Sequence, residues 1–339
     1  MNRLPTISVL IPTLNAASVL DECLKSIVSQ DYPKKKIEII IADGGSTDKT
    51  LEIAKKYGVK IYKNPLKTGE AGKAVALRYS QGELVALIDS DNILPDKNWL
   101  RRMIEPFSDK EVIGSEPWEF TYRRKNGFID RYCALLGMND PLCHFLGNYD
   151  RLNTLTGKWT GLVVEQEDKG HWIKVTLKSG ALPTIGANGT LMRREILLKS
   201  RMVDKYLVDI DILAYLAAKK PVKFAKVKIG IIHLYCGSDI KKFIRKQKRR
   251  IKDYLYYQKL GARVYPWQKQ NKLGLLKFVI SCLTIIPLIY QSLKGYFKKP
   301  DFAWFFHPLA CWITFCVYSW EGIIGLFKTE EASRGKWHQ

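Results

Sequence analysis

The apolar run Leu84-Val85-Ala86-Leu87-Ile88 ends on Asp89-Ser90-Asp91. A short buried strand that presents two carboxylates one residue apart is a ready site for a hard divalent cation. Mg²⁺ or Mn²⁺ takes oxygen ligands and commonly shares them with substrate phosphates. Asp-x-Asp also occurs in plain surface turns, so the triplet gains meaning from its company. Pro12-Thr13-Leu14-Asn15 follows the apolar run Ile7–Ile11 in the same way, and Asp43-Gly44-Gly45-Ser46-Thr47-Asp48 follows Ile37–Ala42. Further on stand a glycine-rich turn, Thr184–Thr190, a pair of carboxylates, Asp209 and Asp211, and a histidine, His233, closing the run Ile229–Ile232.

Positioning such groups is the task of the elements between them. Helical spacing of Val19, Leu20, Leu24, Ile27 and Val28 predicts a helix over Ala16–Val28. Ser46 and Thr47 are good caps for a helix near Asp48–Tyr57; Val59–Tyr62 reads as a short strand and Glu70–Ser80 as a helix. Strand and helix thus alternate through the first ninety residues. That pattern predicts an α/β fold with a mostly parallel sheet covered on both faces. Ligands of such sheets bind at the carboxyl ends of the strands, where all three polar clusters fall. Residues 115–185 are less readable. His171–Leu177 alternates like a strand, while Asp130-Arg131-Tyr132 and Tyr149-Asp150-Arg151 suit either substrate contacts or solvated loop.

The chain has 339 residues, 46% of them hydrophobic, and a formal charge of +22. That balance implies an anionic partner: nucleic acid, a phosphate-rich substrate or a membrane surface. The seven cysteines form no CxxC pair, and no secretory signal is expected; they read as reduced thiols with no zinc site. Lys241–Lys252 carries no acidic residue, which fits a solvated helix face or an anionic contact. Downstream, Leu273–Leu293 is apolar and long enough to cross a bilayer, with Pro287 as a kink point. Trp304–Trp320 is a second apolar run bracketed by tryptophans, as at a membrane interface. The two would form a transmembrane hairpin or a pair of interfacial helices. The basic flank before them places the first domain on the cytoplasmic side of the cell membrane.

Taken in order, these motifs resemble the family 2 glycosyltransferases, over roughly residues 6–235. The resemblance rests on Pro12-Thr13-Leu14-Asn15, Asp43–Asp48, Gly72-Lys73-Ala74-Val75-Ala76-Leu77, Asp89-Ser90-Asp91, Gly186-Ala187-Asn188-Gly189 and Asp209-Ile210-Asp211. It implies a GT-A fold, an inverting transfer from a nucleotide sugar (UDP favoured), and a Mg²⁺ or Mn²⁺ cofactor. Pro12, Thr13 and Asn15 would line the nucleotide pocket, Asp43 would hold the base, and Lys73 would approach the diphosphate. Asp89 would contact the ribose or the metal's water shell, Asp91 would bind the metal, and His233 could join it. Gly186, Asn188 and Gly189 would shape the sugar and acceptor pocket. Asp209 would be the general base, with Asp211 as its rival, because Val208 stands where the family often has Glu. Gln247 and Arg250 match part of the Gln-x-x-Arg-Trp motif that lines an acceptor channel in membrane-embedded members, but the Trp is missing.

The expected organisation is a catalytic domain over 1–235, a basic membrane-proximal helix over 236–272, two apolar helices over 273–327 and a polar tail over 328–339. The acceptor would be a polyprenyl phosphate or lipid-linked saccharide at an anionic lipid surface, with no nucleic acid partner. A processive polysaccharide synthase and a non-catalytic membrane-binding scaffold are the alternatives.

Overall fold

A computed structural model describes residues 3–200, 206–259, 261, 263–266 and 271–327; the expected polar tail lies outside them. The first strands are β1 (Ile7–Thr13), β2 (Ile37–Asp43), β3 (Lys60–Lys63) and β4 (Leu84–Leu87). Helices α1 (Ala17–Val28), α2 (Thr50–Lys56) and α3 (Gly69–Tyr79) connect them. All four strands pair in parallel in the order β3-β2-β1-β4. The apolar runs of β1 and β4, buried on both faces, are what a covered parallel sheet requires, while β3 is a half-exposed edge. On α1 the buried face is Leu20, Cys23, Leu24 and Ile27; of the residues read from the sequence, Val19 is half-buried and Val28 is exposed.

The second half of the sheet is mixed. Its strands are β5 (Asn92–Ile93), β6 (Val112–Phe120), β7 (Glu165–Asp168), β8 (Trp172–Leu177), β9 (Thr190–Arg193) and β10 (Val222–His233). Helices α4 (Trp99–Ile104), α5 (Phe128–Leu136), α6 (Leu142–Leu146), α7 (Arg194–Lys199) and α8 (Asp209–Lys219) fall between them. The order continues β9-β6-β10-β8-β7, with β9 antiparallel to both β4 and β6. Two-residue β5 pairs antiparallel with the end of β10, setting His233 opposite Asn92.

A basic helix, α9 (Ile240–Lys259), leads to the apolar segment. The single helix expected over Leu273–Leu293 is instead two, α10 (Lys272–Thr284) and α11 (Ile286–Lys298), meeting at 96°. The break falls at Ile285, whose φ is +63°, two residues before Pro287. Proline lacks the N–H that would continue α10, and in the first turn of a helix that N–H has no partner to lose, so Pro287 suits the start of a new helix. A 3-10 turn, Phe302–Phe306, runs into α12 (His307–Phe327). Together Phe302–Leu326 is long and apolar enough to cross a membrane.

One close approach fixes α3 on the sheet. Thr68 caps it, its Oγ1 accepting from the Ala71 N–H at 3.1 Å. A Cβ on Gly72 would stand 2.7 Å from the Pro12 Cβ. Only glycine lets α3 lie this near the end of β1. Gly72→Ala should therefore lower stability by about 1–3 kcal/mol, although glycine to alanine inside a helix ordinarily gains about 1 kcal/mol. Thermal unfolding of the two proteins decides the sign.

Candidate active site

The carboxyl ends of β1 and β4, the start of α3, the end of β10 and one face of α9 surround an open cavity of about 450 Å³. Pro12, Thr13, Asn15, Lys73, Asp89, Asp91, Asn188, His233 and Arg250 all line it. Of the three polar clusters at strand ends, those after β1 and β4 line the cavity, while Asp43–Asp48 after β2 does not.

At its floor the Lys73 ammonium, 7% exposed, lies 3.6 Å from Asp89 Oδ1 and 3.5 Å from Asp209 Oδ2. Lys73 lines the cavity, and its nearest charges are these two carboxylates. Burial works against the charged amine, but Asp89 and Asp209 outweigh it and hold the Lys73 pKa above its usual range. Burial pushes the Asp209 carboxyl up, with Lys73 opposing. Asp209 opens α8, and a Cβ on Gly186 would stand 3.9 Å from its Oδ2, so Gly186 leaves room in front of the carboxylate.

Asp91 faces a second partner set. Its Oδ1 is 3.5 Å from His233 Nε2 and its Oδ2 is 3.7 Å from Lys246 Nζ. Burial opposes its ionisation, but His233 and Lys246 prevail and keep the carboxyl well below its ordinary range. The β5–β10 pairing brings the two side chains together, and the Leu234 N–H donates to the Asp91 carbonyl at 2.9 Å. Lys242, Lys246, Arg249, Arg250 and Asp253 all line the cavity from one face of α9. Their helical spacing was present in the basic run as a signal, but a run of charge alone does not say which way the face points.

Four expected site residues have structural tasks instead. Asp43 accepts from Thr13 Oγ1, Ser46 Oγ and the Gly45 and Ser46 N–H groups, at 2.6–2.9 Å. A carboxylate offers about four such positions, so Asp43 ties the β2 loop to β1 and has none left for a base. Gly189 has φ +84°, and a Cβ there would meet Ile231 at 2.7 Å; it packs under the sheet. Asp211 is fully buried, 2.6 Å from Arg263 Nε, and accepts from the Val264 and Tyr265 N–H groups. Gln247 is fully buried, donating to the Asn139 carbonyl and accepting from Arg250. Asn15, by contrast, both lines the cavity and accepts from the Thr47 N–H at 2.7 Å, joining the β1 and β2 loops.

A charge quartet stands behind this wall; Asp150 and Arg151, which suited substrate contacts or solvated loop in the sequence, belong to it, and Arg151 is buried. Glu116 lies between Lys226, at 2.5 Å, and Arg151, and Arg151 also meets Asp150 at 3.1 Å. Burial and the neighbouring Glu116 push the Asp150 carboxyl up to about 7. From the quartet Arg151 donates to the Asn188 carbonyl at 2.8 Å. Asn188 Oδ1 accepts from Asn92 Nδ2 at 2.9 Å, and Asn92 Oδ1 accepts from the Asp89 N–H at 3.1 Å. This relay runs from the core to the Asp89–Asp91 turn.

Known proteins agree with the motif order. Residues 8–160 match the model for Glycosyl transferase family 2. Glycosyltransferase AglE of Haloferax volcanii is 31% identical over 145 residues, 40% of this chain and 47% of its own length. A dolichyl N-acetyl-alpha-D-glucosaminyl phosphate 3-beta-D-2,3-diacetamido-2,3-dideoxy-beta-D-glucuronosyltransferase of Methanococcus voltae is 32% identical over 108 residues, 30% of this chain and 33% of its own. The match thus spans less than half the length of these relatives. The mannosyltransferase PcManGT from Pyrobaculum calidifontis, solved with GDP-Man and Mn²⁺, superposes with a TM-score of 0.51 at 15% identity, covering 94% of this chain and 88% of that one. The fold is GT-A, and residues 8–160 are similar to the family 2 glycosyltransferases.

Removing one member of the quartet leaves buried charge unpaired, which costs about 3–5 kcal/mol. Arg151→Met should lower unfolding stability by that amount in a denaturant titration. A loss under 1 kcal/mol would mean that the site wall does not depend on the quartet.

Proposed function

We propose that the chain transfers a sugar from a nucleoside diphosphate sugar to a hydroxyl of a lipid-linked acceptor, with inversion at the anomeric carbon. The observation that carries this reading is a cavity lined by Lys73, Asp89, Asp91 and His233, with Asp209 tied to it through Lys73. The Methanococcus voltae relative is named for a dolichyl phosphate-linked sugar, and an acceptor of that kind fits the cationic wall of α9.

In this reading the acceptor oxygen attacks the anomeric carbon and forms the new glycosidic bond. The bond from that carbon to the diphosphate breaks, and the nucleoside diphosphate leaves with the electron pair. The hydroxyl proton passes to Asp209 Oδ2. Lys73 holds Asp209 in place and offsets the second carboxylate, Asp89. Pro12, Thr13 and Asn15 wall the nucleotide side; Gly186 and Asn188 border the sugar. Lys242, Lys246, Arg249 and Arg250 face the phosphates of donor or acceptor.

A divalent cation fits the residues present. Asp91 and His233 supply one carboxylate oxygen and one imidazole nitrogen, a set that suits Mn²⁺ or Mg²⁺ when phosphate oxygens and water complete the shell. Among the described residues no group of three or more His, Cys, Asp and Glu gathers, so substrate must supply the rest. Asn139 stands behind His233, its Nδ2 3.4 Å from Nδ1 and its Oδ1 buried without a hydrogen-bond partner. Turned over, that amide accepts from Nδ1–H and frees Nε2 for a cation, a usual arrangement around ligating histidines. When bound, the ion would neutralise charge on the departing diphosphate.

Asp209→Asn should lower kcat by about 10²–10⁴-fold with donor binding retained, measured as acceptor-dependent release of nucleoside diphosphate. An unchanged kcat would remove Asp209 as base and point to an acceptor already ionised, such as a phosphate oxygen. The base must be unprotonated to work, so activity falls as pH drops through the Asp209 pKa. Because burial raises that value, the acid limb of the kcat profile should lie above the ordinary aspartate pKa of about 3.9. Asp91→Asn should weaken Mn²⁺ binding, read by calorimetry, at least about tenfold.

A further inference from the structure

The apolar C-terminal helices face the wrong way for a soluble protein. On α11, Ile286, Ile289, Tyr290, Leu293 and Phe297 are all exposed and share one face, while Leu288, Ser292 and Gly295 are buried on the other. Leu276 and Leu283 on α10, and Trp312 and Trp320 on α12, are likewise exposed. Such a continuous apolar surface asks for a partner. From Lys272 to Pro300 the chain has five lysines and no acidic residue. That charge matches an anionic lipid surface.

A spanning hairpin is hard to reconcile with where the segment is held. Residues 299–301 form the connection that a hairpin would carry to the far side, about 30 Å away. Asp301 is instead paired with Arg131 of α5 at 2.9 and 3.2 Å, and accepts from the Tyr122 hydroxyl. Next to it, Lys298 donates to the Leu155 carbonyl at 2.9 Å. At the other end of α12, Glu321 is 3% exposed and lies 2.9 Å from Lys248 and 3.6 Å from Lys252 of α9. Gly274, at the start of α10, packs so close to α6 that a Cβ would stand 2.3 Å from the Phe145 carbonyl oxygen. The start and the connection rest on the catalytic domain, the end rests on α9, and α10 and α11 meet at a 96° break at Ile285.

We propose that α10, α11 and α12 form an in-plane platform that sinks its exposed apolar stripes into one leaflet of an anionic membrane and does not carry the chain across. Helices lying in the interface in this way bury one face about 5–10 Å deep. The proposal rests on the membrane part of the functional reading, not on the sugar-transfer chemistry. Helix α9 is shared by the cavity and by α12, so the platform sets the cationic wall beside the lipid surface.

The test uses the full chain in two arms. In everted membrane vesicles from expressing bacteria, Lys299→Cys in a Cys316→Ser background is treated with a membrane-impermeant maleimide. Asp31→Cys, exposed on the catalytic domain, is the reference. Equal labelling of both before detergent is expected; labelling of Lys299→Cys at least tenfold weaker until detergent is added overturns the proposal. In the second arm, purified protein is mixed with vesicles of phosphatidylglycerol and phosphatidylcholine. The triple variant Ile286→Glu, Leu293→Glu, Phe297→Glu changes outward side chains only, and its melting curve checks its fold. It should bind at least tenfold more weakly than the wild type. Equal binding by a folded triple variant, or no binding by the wild type, overturns the platform. A chain that binds in this way but transfers no sugar overturns the functional reading alone.

Discussion

A buried ammonium between two carboxylates holds this site together. Lys73 comes from α3, Asp89 follows β4, and Asp209 opens α8. Each carboxylate belongs to a different stretch of chain, so the cation fixes three elements against one another. Desolvating such a charge costs several kcal/mol unless it is paired, and here two partners compensate it. The sum leaves one net negative charge on the floor, beside an Asp91 that is itself matched by Lys246 and His233. Around it the α9 wall adds cations. An anionic substrate entering the cavity therefore meets attraction from the sides, while the carboxylates stay available for a proton or a metal ion.

The parallel half of the fold was legible because its rules are local. Apolar runs of strand length, followed by Gly, Asn, Asp and Ser, mark strand ends, and parallel topology sends those ends to one edge. The mixed half was not legible. β9 inserts antiparallel between β4 and β6, a pairing between segments about a hundred residues apart that no periodicity records. Among site residues, type and spacing named candidates but could not give direction. Asp43 and Asp211 are the kind of residue that performs chemistry, yet each has its oxygens committed to backbone N–H groups or to a neighbouring side chain. Asp209, two residues from Asp211 on the same helix, points the other way, to Lys73. The choice between them is made by helical geometry, which turns residues two apart to opposite sides.

The quartet shows the complementary limit. Glu116, Asp150, Arg151 and Lys226 come from two strands and a loop; the sequence offers Asp150 and Arg151 only as substrate contacts or loop and gives no signal at Glu116 and Lys226. Their meaning appears only when they are brought together, three of them buried. Arg151 then holds the Asn188 carbonyl, Asn188 holds Asn92, and Asn92 holds the Asp89 backbone. A network of paired buried charges in a low-dielectric interior is stiff. That stiffness is useful where a turn must keep two carboxylates aimed at different partners, Asp89 at Lys73 and Asp91 at His233.

Helix α9 explains where much of the positive charge goes. One face presents Lys242, Lys246, Arg249 and Arg250 to the cavity, and another gives Lys248 and Lys252 to the buried Glu321 of α12. Leu255 lies against Gly325, where a Cβ would stand 2.8 Å from its Cδ1. A helix that walls the cavity and also buttresses α12 couples the two mechanically. Displacing α12 by even part of a turn would expose Glu321 or strip it of its cations, and would draw the cavity wall with it. The buried Gln247 stiffens the same joint, bonding Asn139 beside His233 on one side and accepting from the Tyr318 hydroxyl of α12 on the other. The distance from the exposed apolar stripes to Asp91 is thus set by rigid packing rather than by a linker.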